Sequence, residues 1–183
     1  MAVSALKEAV MDFFEVVNQR HSIRAYEDDP VVPEKLQQIL QAVNQAPSAG
    51  NLQAYEVYLV CDDRHKTALA KAANNQEFLA RAPLVLVFCA HGDRSSTKYE
   101  ECGRKLYCVQ DATIACTFAM LAATALGLST VWVGAFDEEE VRYIINAPFA
   151  HRPVALLPVG YAAEVPQIRP RRSLNDLVHR VEP

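Results

Sequence analysis

Arg20, His21, Ser22 and Arg24 stand within five positions of one another, in the stretch RHSIRAY. Guanidinium groups offer a planar fork of donors that matches phosphate oxygens. Ser22 adds a hydroxyl and His21 a ring nitrogen with a switchable proton. The set could grip a phosphate and present a polar edge to an adjoining polyol. A solvated basic turn accounts for the same residues. A second cluster, Arg169-Pro170-Arg171-Arg172, lies near the other end of the chain. Its prolines keep the backbone extended and the arginines apart. Alone, it reads as an exposed basic tail. If the two clusters meet, they can share one anion.

Two further stretches carry groups suited to a flat polar ligand. APSAGNLQ (46–53) supplies Ser48, Asn51 and Gln53 as neutral donors and acceptors. Gly50 permits close backbone approach or a positive φ. A simple turn has the same composition. VWVGAF (131–136) places Gly134 where a strand would end and a capped helix begin. Backbone N–H groups at such a junction can face developing negative charge. A tight turn that needs glycine is the competing account, and Trp132 reads as core.

These residues must be positioned by a chain of 183 residues, 51% hydrophobic, with a net charge of −4. That length predicts a single domain, 1–183, with a sizeable core. Mild acidity argues against a general nucleic-acid surface but not against a local cationic pocket. The five cysteines, Cys61, Cys89, Cys102, Cys108 and Cys116, form no CxxC pair. They read as reduced thiols and give no metal or Fe–S ligand set. MAVSALKEAV lacks the pattern of a secretory signal, and a cytoplasmic location is expected. Leu106 to Leu128 is apolar but holds Gln110 and Asp111, so a buried helix is expected there and no membrane span.

The periodicities predict the following elements. Leu6, Val10, Phe13, Phe14 and Val17 mark an amphipathic helix running into RHSIRAY. Pro33 starts a second helix with Leu36, Ile39, Leu40 and Val43 on its buried face. YEVYLVC (55–61) is a strand; Asp62 and Asp63 can cap a short helix carrying Leu69. LVLVFCA is an internal strand, and the polar residues 91–103 read as a mobile excursion. A long helix spans about 104–126, with Gly127 as its C-cap. STVWVGA (129–135) is a strand, Asp137 caps a helix, and PVALLPVGY (153–161) is a strand bent at Pro158. A helix that is apolar nearly all round must be covered on most sides. The elements therefore predict an α+β fold, with a second subunit covering what one domain cannot.

RHSIRAY, APSAGNLQ, GLSTVWVGAF and PVALLPVGY followed by RPRR occur in an order and spacing that resemble the nitroreductase family of FMN-dependent oxidoreductases. The resemblance runs from about residue 14 to 179. It implies a nitroreductase-like α+β fold: a central, mostly antiparallel sheet flanked by helices, in an intertwined homodimer with two FMN at the interface. Arg20, His21, Ser22 and Arg24 would then bind the phosphate, the ribityl chain and part of the ring. Pro47, Ser48, Ala49, Asn51 and, more loosely, Gln53 would reach the same flavin from the other subunit. Gly134 and Ala135 would meet the ring near its reactive N5 through their backbone. Arg169 and Arg171 would complete the phosphate site, with Arg172 a substitute should the tail shift in register. The chain departs from many relatives at Ala54 and Tyr55, where Pro and an aromatic are common, and at Gly134, where some carry an acid. It is also too short for the helical insertion that covers the site in longer relatives.

The implied activity is NAD(P)H-dependent reduction of small aromatic or quinone-type acceptors by ping-pong hydride and electron transfer. No dedicated catalytic acid or nucleophile is visible. Two alternatives stand beside it: a specialised flavoprotein of the same fold, flavin-fragmenting or dehalogenating, and a non-catalytic FMN-binding protein. No GxGxxG follows a strand, so no Rossmann dinucleotide site is expected.

Overall fold

The computed structural model describes residues 11–181. Leu6 and Val10 of the first predicted helix lie outside the described residues. The remainder of that helix forms α1, Phe13–Gln19. Asp12 caps it through Phe14 and Glu15 N–H, and the Glu15 side chain returns the bond to Asp12 N–H. α2 spans Pro33–Asn44, with Pro33 in its first turn where its missing N–H costs nothing.

Four strands form one antiparallel sheet in the order β1-β2-β4-β3: β1 is Tyr55–Val60, β2 Leu84–His91, β3 Ser129–Thr130 and β4 His151–Gly160. α3 (Asp63–Ala72) and α4 (Phe78–Arg81) connect β1 to β2. β2 leads into α5 (Gly92–Cys102), a π-helical turn at Gly103–Tyr107, and the long α6 (Cys108–Ala125). α7 (Glu138–Ile144) is capped by Asp137, whose carboxylate accepts Glu140 N–H. α8 (Leu174–Leu177) lies in the tail.

β2 is buried on both faces, as its unbroken apolar run requires. Leu84, Leu86, Phe88 and Ala90 pack toward α2 and α6; Val85, Val87 and Cys89 pack in the second cluster with Leu69, Leu79 and Val141. The sheet is thus the middle of three layers. Ala112, Ala115, Ala119 and Ala123 of α6 are fully buried, and their small side chains let the helix lie close to the sheet. The α5–α6 run is long and apolar enough in composition to cross a membrane. In the fold, α6 is a core helix.

Two segments depart from the sequence prediction. Residues 91–103, expected as a mobile excursion, are mostly helical, with a break at Glu100 (φ 48°, ψ −134°). They carry no apolar period because only Ser95 of α5 is buried. The predicted strand 129–135 is a strand only at Ser129–Thr130, with one bridge further on from Val133 to Leu156. Gly127 ends α6 as expected: its φ is +71°, and Leu128 N–H returns to Ala123 C=O at 2.8 Å.

Candidate functional site

RHSIRAY leaves the helix at once. α1 ends at Gln19, and Arg20 already has an extended backbone. Ser22 bridges Thr130 in parallel, and Ile23 N–H bonds Thr130 C=O at 3.1 Å. On the far side, Ala163 N–H bonds Ala25 C=O at 2.9 Å and Glu27 N–H bonds Tyr161 C=O at 3.0 Å. Ile23 and Tyr26 are buried against Ala82, and the Tyr26 hydroxyl donates to Ile23 C=O at 2.8 Å. Burial keeps the Tyr26 phenol well above its usual range, so it stays a donor. Two buried anchors and flanking backbone pairing thus fix the segment, with Ser22 and Arg24 on the exposed side.

The chain after β4 lies alongside. Arg20, His21, Ser22 and Arg24 line one cleft of about 480 Å³ with Glu164, Val165, Gln167, Arg169 and Arg171. The two arginine clusters, at opposite ends of the sequence, therefore face one space. Arg172 is not among the lining residues. Burial and the neighbouring Arg171 cation both lower the Arg20 pKa from its ordinary value. Four guanidinium groups share this cleft with one carboxylate, Glu164, which accepts the N–H groups of Arg24 and Ala25. The cleft has a surplus of positive charge that an anion would relieve.

The loop at 47–53 is held by a residue the sequence reading used only to argue against a membrane span. Asp111 of α6 is buried, and its Oδ1 accepts Ala49 N–H at 2.9 Å. Its Oδ2 has no partner among the described residues. Ser48 Oγ accepts Gln53 N–H at 2.9 Å, closing the loop on itself. Gly50, Asn51 and Gln53 all take positive φ, between 49° and 57°. A glycine does so freely; Asn51 and Gln53 carry backbone strain that the tethers must sustain. Pro47, Ser48 and Ala49 border an apolar cavity of about 590 Å³ with Tyr107, Asp111 and Ile114. Sequence reasoning also missed Arg94, whose Nη1 donates to Gln53 C=O at 2.9 Å. A lone carboxylate on an apolar helix was the one available signal for Asp111.

The loop and the arginine cleft do not meet within one chain. Thr130, beside Ser22, pairs with Val159, which pairs with Leu84 at one end of β2. Ala54 C=O accepts His91 N–H at the other end. Leu84 to His91 spans roughly 23 Å at ~3.3 Å per residue. Gly134 and Ala135 form a third place, exposed beyond the Val133–Leu156 bridge. Asn74 and Gln76 donate side-chain N–H to Ala135 C=O at 3.2 and 3.4 Å. A Cβ at Gly134 would meet Trp132 Nε1 at 3.0 Å. Among the described residues, neither Gly134 nor Ala135 N–H has an intramolecular acceptor.

A four-stranded antiparallel sheet between helical layers, with these sites along its margins, defines an α+β protein of the nitroreductase fold. The Nitroreductase family model matches residues 17–76 and 67–161, and the chain belongs to that family. It is 33% identical over 177 residues to a Bacillus subtilis protein named FMN reductase (NAD(P)H), covering 90% of this chain and 71% of the relative. It is 32% identical over 182 residues to a Thermus thermophilus protein named NADH dehydrogenase, covering 85% and 89%. The solved structure of B. megaterium NfrA2 superimposes with a TM-score of 0.86 at 30% identity, over 94% of this chain and 75% of that one.

Proposed function

We propose that the protein is an FMN-dependent oxidoreductase that uses NAD(P)H to reduce small aromatic or quinone-type acceptors. One observation carries the reading: arginines from both ends of the sequence converge on one cleft, and the Arg20 pKa is lowered there by burial and by Arg171. Like charges gathered on one cleft, one of them half-buried, are relieved by an anionic ligand. The residues fit FMN on three counts. The cleft supplies more cations than its single carboxylate neutralises. Gly134 and Ala135 present open backbone N–H groups with no side chain to exclude a flat ring at Gly134. The loop at 47–53 adds small and neutral side chains. The relatives' names, FMN reductase and NADH dehydrogenase, agree in chemistry.

Arg20, Arg24, Arg169 and Arg171 neutralise the phosphate. His21 and Ser22 offer polar contacts to the ribityl chain and the ring edge. Gly134 and Ala135 N–H, exposed and unpaired, would donate to a ring bound there and so favour its reduced, anionic form. Bound FMN supplies reversible two-electron chemistry between a nicotinamide and an acceptor. No side chain of the site is required as a nucleophile, and none is placed as one.

The second half of each site comes from a second copy of the chain. Within one chain the loop and the cleft are separated by the length of β2, and the chain exposes apolar side chains that a second copy would cover. Phe13 and Phe14 of α1 are 63% and 74% exposed, and Ile168 of the tail is 78% exposed. A symmetric dimer covers these groups and closes two flavin sites.

Anaerobic titration of the purified, FMN-loaded protein with NADH and with NADPH tests the reading. Bleaching of the flavin absorbance, followed by its return when a quinone or nitroaromatic is added, is the expected result. A protein that takes up no FMN, or a yellow one that neither nucleotide bleaches, overturns it.

A further inference from the structure

Away from the residues assigned to flavin, three strands bring a second polar group together. Glu56 of β1, His91 of β2 and His151 of β4 each offer one ligand atom, and these atoms lie within 4.8 Å of one another. His91 and His151 are direct cross-strand partners, and Glu56 faces Cys89, two residues before His91. The imidazole centroids are 4.6 Å apart at 61°, and His91 Nδ1 is 3.1 Å from Glu56 Oε1. All three residues are half-buried.

A register shift brings His151 to this face. Phe88 pairs with Ala155, but Cys89 pairs with Pro153, so β4 carries an extra residue at that point. Side chains alternate along a strand, and one inserted residue reverses the alternation beyond it. Without the shift, His151 would share the face of Ala155 and Leu157, toward α6. With it, His151 joins His91 and Cys89 on the opposite face. Pro153 suits such a place because it has no N–H to contribute to the ladder.

We propose that Glu56, His91 and His151 form a binding site for one divalent transition-metal ion of the zinc type. Two imidazoles and one carboxylate suit Zn²⁺, Co²⁺ or Ni²⁺ rather than Mg²⁺ or Ca²⁺, which prefer all-oxygen sets. Bonds of about 2.0–2.2 Å place tetrahedral donors roughly 3.3–3.6 Å apart. The Glu56–His91 pair is already that close, and the widest separation closes with side-chain rotation. A fourth position is left for water, since the site is not sealed. Outer groups that orient metal ligands are present as well. The Tyr58 hydroxyl lies 2.6 Å from His151 Nδ1; accepting that N–H would leave Nε2 free to ligate. Burial and the neighbouring His91 lower the His151 pKa, which favours the neutral imidazole a metal needs. Arg94 competes: its Nη2 lies 3.0 Å from Glu56 Oε1, so an ion must share or displace a cation. None of the three ligands is among the residues assigned to flavin, so the site does not rest on that reading; Arg94 alone touches both, through Glu56 and through Gln53 C=O.

The test uses the untagged, full-length protein with Cys61→Ser and Cys102→Ser, since both thiols are exposed and would bind zinc themselves. After dialysis against a chelator, it is titrated with zinc chloride by calorimetry at neutral pH, and circular dichroism checks that each variant is folded. One zinc per chain is expected. Tyr58→Phe should weaken it about 10- to 100-fold, as loss of an outer partner does. The nearly isosteric Glu56→Gln should weaken it further, as should His91→Ala, and Arg94→Gln should tighten it. Co²⁺ in place of zinc should give the visible bands of a tetrahedral site. Absence of stoichiometric binding overturns the proposal; so does binding that Glu56→Gln and His91→Ala leave unchanged, which would place the ion elsewhere.

Discussion

Arg20 is half-buried with Arg171 as its neighbour, and its cation is disfavoured by both. Truncating it therefore acts in opposite directions on the empty and the loaded protein. Arg20→Ala removes a desolvated charge and a repulsion, so the thermal midpoint of the FMN-free protein should hold or rise. On the proposed function, the same change also removes a charged hydrogen-bond partner of the phosphate, worth about 1.5–3 kcal/mol or roughly 10- to 100-fold in Kd. Fluorescence titration with FMN reads the second effect, and calorimetric melting the first. Unchanged FMN affinity would remove Arg20 from the site. At this scale much was legible. The types and spacing of Arg20, Ser22 and Arg24 offered phosphate-matching chemistry, and they line one cleft with Arg169 and Arg171. Glu164, Asp111 and Arg94 were not legible as site residues, because each matters through a backbone N–H or C=O far away in sequence. Periodicity does not report such contacts.

The elements with a strong apolar signal, periodic as in α2 or continuous as in β2 and α6, came out as predicted, as did β1 and most of β4. Those without one did not. α5 is polar on nearly every face, so neither a helical stripe nor a strand alternation marks it. The stretch 129–135 has strand composition, but after Thr130 the chain returns to β4 only at Val133. Propensity favours extension there; the sheet limits how much of it is paired. One consequence concerns Gly103, at the start of the π-helical turn. A Cβ at this position would lie 2.5 Å from the Ser95 carbonyl oxygen, a backbone atom that cannot swing away. Gly103→Ala should therefore destabilise the protein by about 1–3 kcal/mol, the usual cost of overpacking. Denaturant unfolding measures it. Because Tyr99 and Lys98 of α5 lie against Gly50, FMN retention should fall as well.

At the scale of the whole molecule, the arginine cleft and the 47–53 loop are separated by the length of β2, and the proposed flavin site takes one of each from different copies. Complementation tests this. One chain carries Arg20→Ala with Arg171→Ala, the other Ser48→Tyr, and each alone should be nearly inactive. Co-expressed, they form mixed dimers in which one site has both halves intact. Random pairing in a two-fold dimer should restore about a quarter of the normal sites, read as bound FMN per chain and as NAD(P)H oxidation. No recovery would mean that both halves act within one chain.

The sequence by itself determined which segments are apolar on one face, where the helices are capped, and that two arginine clusters existed with phosphate-matching chemistry. These are local properties, set by residue type and spacing within a few positions. Only the tertiary structure decided that the clusters share one cleft, that Asp111 holds the loop, and that a register shift in β4 turns His151 toward His91. Such facts depend on strand order and register, which arise from long-range pairing across the whole core, and no short window of residues contains them.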